Sequence, residues 1–432
     1  MVEVKASKKY IVNTSWILVE KLSRIISGIL VGILVARYLG PEQFGMISYA
    51  LSVVAIFTIF SSLGMDSIIV RELITRNKHK NEILGTSFYL RLIGAIVVVV
   101  VATFYSSIRD DAQNTYIVFL VSLSVVLQAF TVVDFYFQSQ VLGKYTAINQ
   151  VITLVLSSIV KLLLIYFNKP IEYFASMVVL EAALTLINQF WFYKTNGQHI
   201  NKWKFSWIEA KILLGHSWPI IVSGFVMMVY QKMDQILIKR FLDLNALGNY
   251  AAAVRISEAS FFIPVAICAA ILPGIINNRD NKELQYKRLT QLYSIMLWSS
   301  FIICIGGYFL GDYVITFLYK EKYYLSPQIF KIHIWSTIPI FYGTAWGMWM
   351  VAENKQKYLI FFQLLSMVIA ILLNIKLIPV FGAIGAAYSI LITYLISTIN
   401  CLTFYKPKQS WALFLKALNP LNIIDIVKYL KH

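Results

Sequence analysis

Charged side chains stand inside long apolar stretches of this sequence, where each needs a partner or a water-filled space. The basic ones that we single out are Arg24, Arg91, Lys161, Arg255 and Lys331, and the acidic ones are Asp66, Asp134, Asp234 and Glu258. Arg and Lys in such a position can bind an anion, with Arg able to form two parallel hydrogen bonds. A carboxylate there can bind a proton or a cation. These charges are the candidates for chemistry in this chain.

Aromatic residues accompany one of the cations at helical spacing. Lys331 stands one turn before Trp335, and Tyr342 and Trp346 lie further along the same stretch. In the first stretch, Arg24 shares a helical face with two glycines. A water-filled, cationic cavity with aromatic walls explains both patterns.

Purely structural explanations remain open for several charges. Arg255 and Glu258 are three residues apart on one helix, so they can simply neutralise each other. Asp66 and Asp134 lie within a turn or two of the expected helix ends, where a position at the membrane surface is as good an explanation as a buried proton site.

The composition places these charges in a membrane. Of 432 residues, 59% are hydrophobic and 14% are charged, against about 25% charged in soluble domains. Apolar stretches of about 20 residues recur along the chain, each long enough to cross a bilayer as a helix. The net charge is +17, and most of the Lys and Arg residues lie between these stretches. Their distribution therefore indicates the orientation of the chain in the membrane and not nucleic-acid binding. The cysteines, Cys268, Cys304 and Cys401, read as buried apolar residues, and no cofactor or metal site is predicted.

Hydropathy and helix-breaking residues predict an all-α, polytopic protein with two six-helix bundles around a central cavity. The expected halves are residues 1–200 and 201–406, followed by an amphipathic tail, residues 407–432. The twelve predicted spans are 11–37, 45–69, 84–106, 115–137, 147–167, 171–193, 212–238, 248–276, 288–310, 325–352, 357–378 and 384–405.

The distribution of Lys and Arg predicts the orientation. Most of them fall on one side if the N-terminus is cytoplasmic, as the positive-inside rule requires. Both termini and the tail are then cytoplasmic. Every loop is expected to be short, which leaves no room for a soluble catalytic domain. We therefore do not expect an enzyme.

A weak internal repeat supports the two-half architecture. Residues 34–50 align without gaps on residues 237–253, with Leu, Arg, Leu, Gly and Ala at matching places. Each copy joins the first and second helices of one half. Such repeats are found in transporters whose substrate path lies between two similar halves.

Short motifs near the start of each half give a family resemblance. They lie at residues 13–16, 35–45, 63–66, 70–72, 233–237 and 247–252. Together they resemble the polysaccharide transporter family of O-antigen and repeat-unit flippases, within the multidrug/oligosaccharidyl-lipid/polysaccharide exporter superfamily.

The resemblance implies a function. Members of this kind move an undecaprenyl-pyrophosphate-linked oligosaccharide from the inner to the outer leaflet of the bacterial cytoplasmic membrane by alternating access. The five cations would then bind the pyrophosphate, and Trp335, Tyr342 and Trp346 would stack on sugars. The four acids would couple transport to proton or cation antiport. Membrane lipids, a polysaccharide polymerase and a chain-length regulator are the further partners implied.

Two alternatives are weighed against this function. A multidrug cation exporter of the same superfamily would share the topology, but its cavity should be dominated by carboxylates. A membrane-embedded polysaccharide polymerase would need a large loop with donor and acceptor residues, and every loop expected here is short.

Overall fold

A computed structural model describes the backbone of residues 2–278 and 280–422, with side chains for Trp16, Ser23 and residues 27–278, 280–355 and 357–422. Every regular element in this part is helical. The α-helices are α1 (Val2–Ser62), α2 (Asp66–Thr75), α3 (Lys80–Arg109), α4 (Ala112–Gln128), α5 (Val132–Ser139), α6 (Gly143–Tyr166), α7 (Ile171–Thr195), α8 (Trp207–Phe241), α9 (Leu244–Glu258), α10 (Phe262–Ile276), α11 (Lys282–Tyr319), α12 (Ser326–His333), α13 (Thr337–Ala352), α14 (Gln356–Phe381), α15 (Ala383–Phe404) and α16 (Pro407–Ala417).

Ten helical segments of the described chain are long and apolar enough to cross a membrane. The first, Ser27–Thr75, contains a break at Gly40, where φ is 74°, and it includes the end of the first predicted span and all of the second. The tenth predicted span is divided by a 3-10 turn, Ile334–Ser336, into α12 and α13, each too short to count alone. The all-helical, multi-pass prediction is confirmed.

The chain divides into two compact units, Met1–Lys232 and Met233–His432, and the boundary falls inside α8. The sequence places it earlier, at residue 200. The difference arises because the first part of α8 packs within the N-terminal unit. The backbone N–H of Ser206, just before α8, donates to Thr86 Oγ1 at 2.9 Å. Further along, the rings of Phe225 and Phe60 are 5.4 Å apart.

Both copies of the sequence repeat contain a helix boundary. In the first copy the chain turns at Gly40, which takes a positive φ of 74° and precedes Pro41. The aligned residue of the second copy is Asp243, which caps α9 by accepting from the backbone N–H of Ala246 at 2.7 Å. A glycine turn thus breaks the helix in the first copy, and a side-chain cap begins the next helix in the second copy.

Each unit has its own apolar core. In the N-terminal unit, buried residues of α2, α3, α5, α7 and α8 meet, among them Ile69, Phe137 and Tyr193. In the C-terminal unit the core joins α10, α11, α13, α14, α15 and α16. All three cysteines are free and buried, as predicted.

The C-terminal tail is a folded part of its unit as far as the structure describes it. Helix α16 begins after Lys406, which adopts a left-handed conformation, and Pro407 occupies its first turn. Leu413 and Ala417 are buried in the core cluster, and Phe414 packs against it. Helix α16 thus has a buried face and an exposed face, whereas residues 423–432 lie outside the described part.

The turn between α14 and α15 gives a first testable prediction. A Cβ added at Gly385 would lie 2.1 Å from the carbonyl oxygen of Leu377, so the backbone would have to move. We expect Gly385→Ala to lower the free energy of unfolding by about 1–3 kcal/mol, the usual cost of overpacking. Thermal unfolding of the purified protein in detergent measures this.

Gly306→Ala is the matched control, because a Cβ at Gly306 meets nothing within 4 Å. Replacing a glycine inside a helix with alanine should be neutral or stabilise by roughly 0.5–1 kcal/mol. Equal unfolding midpoints for the two variants would contradict the close approach at Gly385.

Candidate functional site

Three of the cations within the predicted spans form ion pairs, each inside one unit. The structure pairs Arg91 with Asp66, Lys161 with Glu181, and Lys331 with Asp312. Pairing lowers the cost of holding a charge in a membrane. Three of the predicted anion-binding cations therefore already have an anionic partner.

Arg91 is held by contacts from three neighbouring segments. Its Nη1 donates to Asp66 Oδ1 at 2.6 Å, and its Nη2 donates to Thr131 Oγ1 at 3.2 Å. The guanidinium carbon lies 5.3 Å from the ring centroid of Phe135. Nε is buried and has no hydrogen-bond partner. The guanidinium is therefore fixed in place, and its Nε–H donor is not used.

Local chain geometry explains why Arg91 and Asp66 meet. Leu63 and Gly64 take positive φ angles of 51° and 59°, which end α1 and let Asp66 begin α2. On α3, Gly94 stands three residues after Arg91, and a Cβ there would lie 2.3 Å from the Phe60 carbonyl oxygen. The glycine thus permits the close packing of α1 on α3 that brings Asp66 within reach.

The two partners differ in their exposure. The Arg91 side chain is 7% exposed, whereas the Asp66 side chain is 59% exposed. The carboxylate is therefore the accessible member of the pair, and it is the group that an incoming anion would displace. Exchange of one oxyanion for another is the chemistry that this pair offers.

Lys161 and Glu181 form the second pair, between α6 and α7. Their Nζ and Oε1 atoms are 2.6 Å apart, and both side chains are half-buried. Thr153 and Ser157 are buried on the same helix as Lys161, and Thr185 of α7 donates to Thr153 at 3.4 Å. A polar face of α6 thus packs against α7.

Lys331 lies in a cluster of aromatic residues in the C-terminal unit. Its ammonium group binds Asp312 of α11 and lies 5.7 Å from the ring centroid of Tyr308. The ring of Trp335 is 6.1 Å from that of Tyr308. The predicted neighbourhood of a cation and aromatic rings is present, with Asp312 as a partner that the sequence analysis missed.

The other two predicted sugar-stacking residues lie in the core. Tyr342 is buried between Tyr293, with ring centroids 4.8 Å apart, and Phe414, at 5.4 Å. Trp346 is buried against Phe362 at 5.7 Å. Sugar stacking stays a prediction for all three residues, and this burial argues against it for Tyr342 and Trp346.

The predicted ion-coupling acids occupy different settings. Asp234 is buried and accepts from the Tyr250 hydroxyl and, at 2.8 Å, from the Gln235 backbone N–H. Asp134 is partly buried and accepts from Thr146 of α6 and from the Gln138 side chain. Of these two, Asp234 has the more apolar surroundings for a proton.

The remaining predicted residues are described only in part. Arg255 is half-buried and Glu258 exposed in the last turns of α9, and both take part in interactions. Arg24 lies within α1, but its side chain is outside the described residues. The three charges keep their predicted roles as predictions.

A second charge network in the N-terminal unit was not predicted. Arg76 donates to both carboxylate oxygens of Glu209 at 2.8 Å and to Glu72 at 2.7 Å. The hydrogen bonds with Glu209 raise the pKa of Arg76 above its ordinary value. Arg71 also binds Glu72, at 2.8 Å. This network joins the end of α2 to the start of α8.

One group of possible metal ligands lies beside this network. His79, Glu82 and Glu209 have ligand atoms within 4.8 Å of one another. Both oxygens of Glu209 already accept from Arg76. The positive guanidinium opposes a cation at this point, so we do not propose a metal site.

Comparison with known proteins identifies the family. The sequence pattern of the polysaccharide biosynthesis protein family matches residues 34–328, more than half of the chain. The chain belongs to that family. This confirms the resemblance drawn from the short motifs.

Curated relatives resemble the chain over most of its length. The capsular polysaccharide biosynthesis protein CapF of Staphylococcus aureus is 22% identical over 406 residues, covering 91% of this chain and 98% of that protein. The probable low-salt glycan biosynthesis flippase Agl15 of Haloferax volcanii is 22% identical over 380 residues, covering 84% of this chain and 76% of that protein.

Solved transporter structures share the fold of this family member. The lipid II flippase MurJ in an inward closed conformation superposes with a TM-score of 0.73 at 14% identity, covering 98% of this chain and 93% of MurJ. An inward-facing multidrug resistance MATE family transporter of the MOP superfamily gives a TM-score of 0.71 at 12% identity, covering 90% and 95%. The fold is that of flippases and exporters.

Proposed function

We propose that this protein flips an undecaprenyl-pyrophosphate-linked oligosaccharide across the bacterial cytoplasmic membrane, with both termini in the cytoplasm. The Arg91–Asp66 pair carries the proposal, because it places a fixed guanidinium behind an exposed carboxylate in a membrane-spanning unit. Its relatives are named for polysaccharide biosynthesis and glycan flipping. These names agree with a glycan lipid as the substrate.

The pyrophosphate would bind by exchange at Arg91. A pyrophosphate oxygen would replace the Asp66 carboxylate and accept a charge-assisted hydrogen bond from Arg91 Nη1. The lipid tail stays in the bilayer while the headgroup crosses by alternating access.

Direction would come from coupling to proton or cation antiport. Asp234 suits this role because it is buried and its hydrogen bond with Tyr250 fixes its carboxylate. Asp66, Asp134 and Glu258 are the other candidates. Dependence of flipping on an imposed ion gradient in proteoliposomes tests the coupling.

Complementation of a flippase-null bacterial host tests the function itself. We expect the wild-type chain to restore surface glycan for some repeat units and to fail for others, because the sequence does not fix the glycan. Surface staining measures the outcome. Hosts that polymerise different repeat units supply the comparison. Each host also provides its own polymerase and chain-length regulator, the partners expected for a flippase of this kind.

Export of cationic drugs is the second candidate function. Two carboxylates within the ion pairs, Asp66 and Asp312, are each 59% exposed. Exposed carboxylates would attract a cationic compound. Increased drug resistance without glycan display in any host would replace the flippase proposal with this one.

The aromatic residues provide a further prediction. Trp335→Ala should reduce glycan transport roughly 2- to 10-fold, as expected if one ring contact worth about 0.5–1.5 kcal/mol is lost. Its thermal unfolding should change little, because Trp335 is only partly buried. Trp346→Ala should instead lower the free energy of unfolding by about 3–5 kcal/mol. Unchanged transport by a folded Trp335→Ala variant would contradict the stacking role of Trp335.

A further inference from the structure

A cavity of about 520 Å³ lies between the start of α11 and α16, entirely within the C-terminal unit. Most of the residues that line it have polar side chains, and they include Lys287 from α11, Gln409 and Lys416 from α16, and Asn419 and Asn422 just after α16. Its size is that of sites that bind small molecules or headgroups, roughly 300–1,000 Å³. The anion exchange proposed at Arg91 does not involve this cavity.

Hydrogen bonds from α11 hold the α16 wall in place. Ser294 donates to the carbonyl oxygen of Ala417 at 2.8 Å, and Trp298 Nε1 donates to that of Leu418 at 3.2 Å. The Asn422 side chain donates to the Lys416 carbonyl oxygen at 2.7 Å. The cavity is thus shaped before any ligand binds.

The cavity lies beside the ends of two helices that are long and apolar enough to cross a membrane. The span formed by α11 begins at Lys282, close to Lys287, and the last span ends at Phe404, directly before α16. Leu415, Leu418 and Leu421 are exposed on and just after α16. An amphipathic helix here places such residues among lipid acyl chains.

The chemistry of the lining favours a phosphate-bearing headgroup. Lys287 and Lys416 outnumber the one acid in the lining, Glu283, and the amide side chains of Gln409 and Asn419 add hydrogen-bond donors. A basic pocket at the membrane surface is a known setting for anionic headgroups. The exposed leucines would add contacts to acyl chains, which a free phosphate lacks.

We propose that this cavity binds the headgroup of an anionic phospholipid, with its acyl chains lying over the three exposed leucines. The bound lipid would join α16 to α11 and stabilise the C-terminal unit. Binding here does not depend on transport, so it stands or falls separately from the flippase proposal.

Titration of lipids into the purified full-length protein in detergent tests the site. We expect phosphatidylglycerol to raise the thermal unfolding midpoint, and phosphatidylcholine or inorganic pyrophosphate to have little effect. Each lysine near an anionic headgroup changes affinity roughly fivefold, so Lys287→Gln with Lys416→Gln should weaken phosphatidylglycerol binding about 30-fold. Stabilisation by pyrophosphate alone would overturn the lipid assignment.

Matched variants separate this site from general charge effects. Lys357→Gln with Lys408→Gln removes two exposed lysines outside the cavity lining, and this pair should keep binding within about twofold. Ala412→Phe fills the cavity from the exposed side of α16 without a change of charge, and it should also abolish the shift. Equal loss in the control pair, or full binding by Ala412→Phe, would overturn the proposal.

Discussion

Replacing Arg91 with glutamine is expected to lower surface glycan display at least about tenfold. The change removes the positive charge that the proposed exchange needs, and a hydrogen bond to a charged group is worth about 1.5–3 kcal/mol, or roughly 10- to 150-fold in rate. Its exposed partner Asp66 can turn to water, so the protein should still insert and fold. Display in a flippase-null host, normalised to the amount of protein in the membrane, measures the effect.

A charge swap distinguishes anion binding from a purely structural ion pair. The double variant Asp66→Arg, Arg91→Asp restores opposite charges at the two positions. It moves the cation to the exposed position and places an acid where the pyrophosphate should bind. We expect display to stay low. Recovery of normal display would show that the pair has only a structural role.

Arg76→Ala is expected to lower the free energy of unfolding of the N-terminal unit by about 3–5 kcal/mol. Removing one partner leaves buried carboxylates without compensation, which is the costly way to break a buried ion pair. The side chains of Glu72 and Glu209 are 9% and 5% exposed, so neither can reach water readily. Chemical or thermal unfolding in detergent micelles gives the measurement.

Arg71→Ala is the matched control for Arg76. Arg71 also binds Glu72, but its side chain is 54% exposed, and an ion pair of this kind contributes about 0–1 kcal/mol. A similar loss of stability in both variants would mean that the Arg76 contact with Glu209 adds nothing.

The positions of the helices could be predicted from the sequence because they follow from local chemistry. A run of about 20 apolar residues must form a helix in lipid. Gly40 with Pro41, and Asp243, mark breaks that require no knowledge of distant contacts. The same reasoning gives the membrane depth of a charge such as Arg91.

The partners of these charges could not be predicted in the same way. Arg76 and Glu209 are 133 residues apart and Lys331 and Asp312 are 19 apart, and hydropathy does not specify which helices are neighbours. From hydropathy alone, Asp312 falls just outside the predicted span 288–310 and Arg76 falls in a loop. Neither residue was therefore a candidate partner for a charge in the membrane.

Helical spacing places the aromatic residues on one face, whereas the structure separates them, and the reason is local. Lys331, Trp335 and Tyr342 share a face only if one regular helix runs through them. The 3-10 turn Ile334–Ser336 interrupts that helix, so Trp335 stays beside Lys331 while Tyr342 turns into the core. Pro339, five residues after the start of this turn, is the signal in the sequence that regular spacing stops here.

Flipping of a fluorescent undecaprenyl-pyrophosphate oligosaccharide in proteoliposomes tests most directly whether fixed cations in the membrane bind the headgroup. The comparison is between the wild-type protein and the double variant Arg24→Glu, Arg91→Glu, reconstituted in equal amounts. We predict rapid flipping by the wild type and only background flipping by the variant. A wild-type rate in the folded double variant would contradict the cationic binding site.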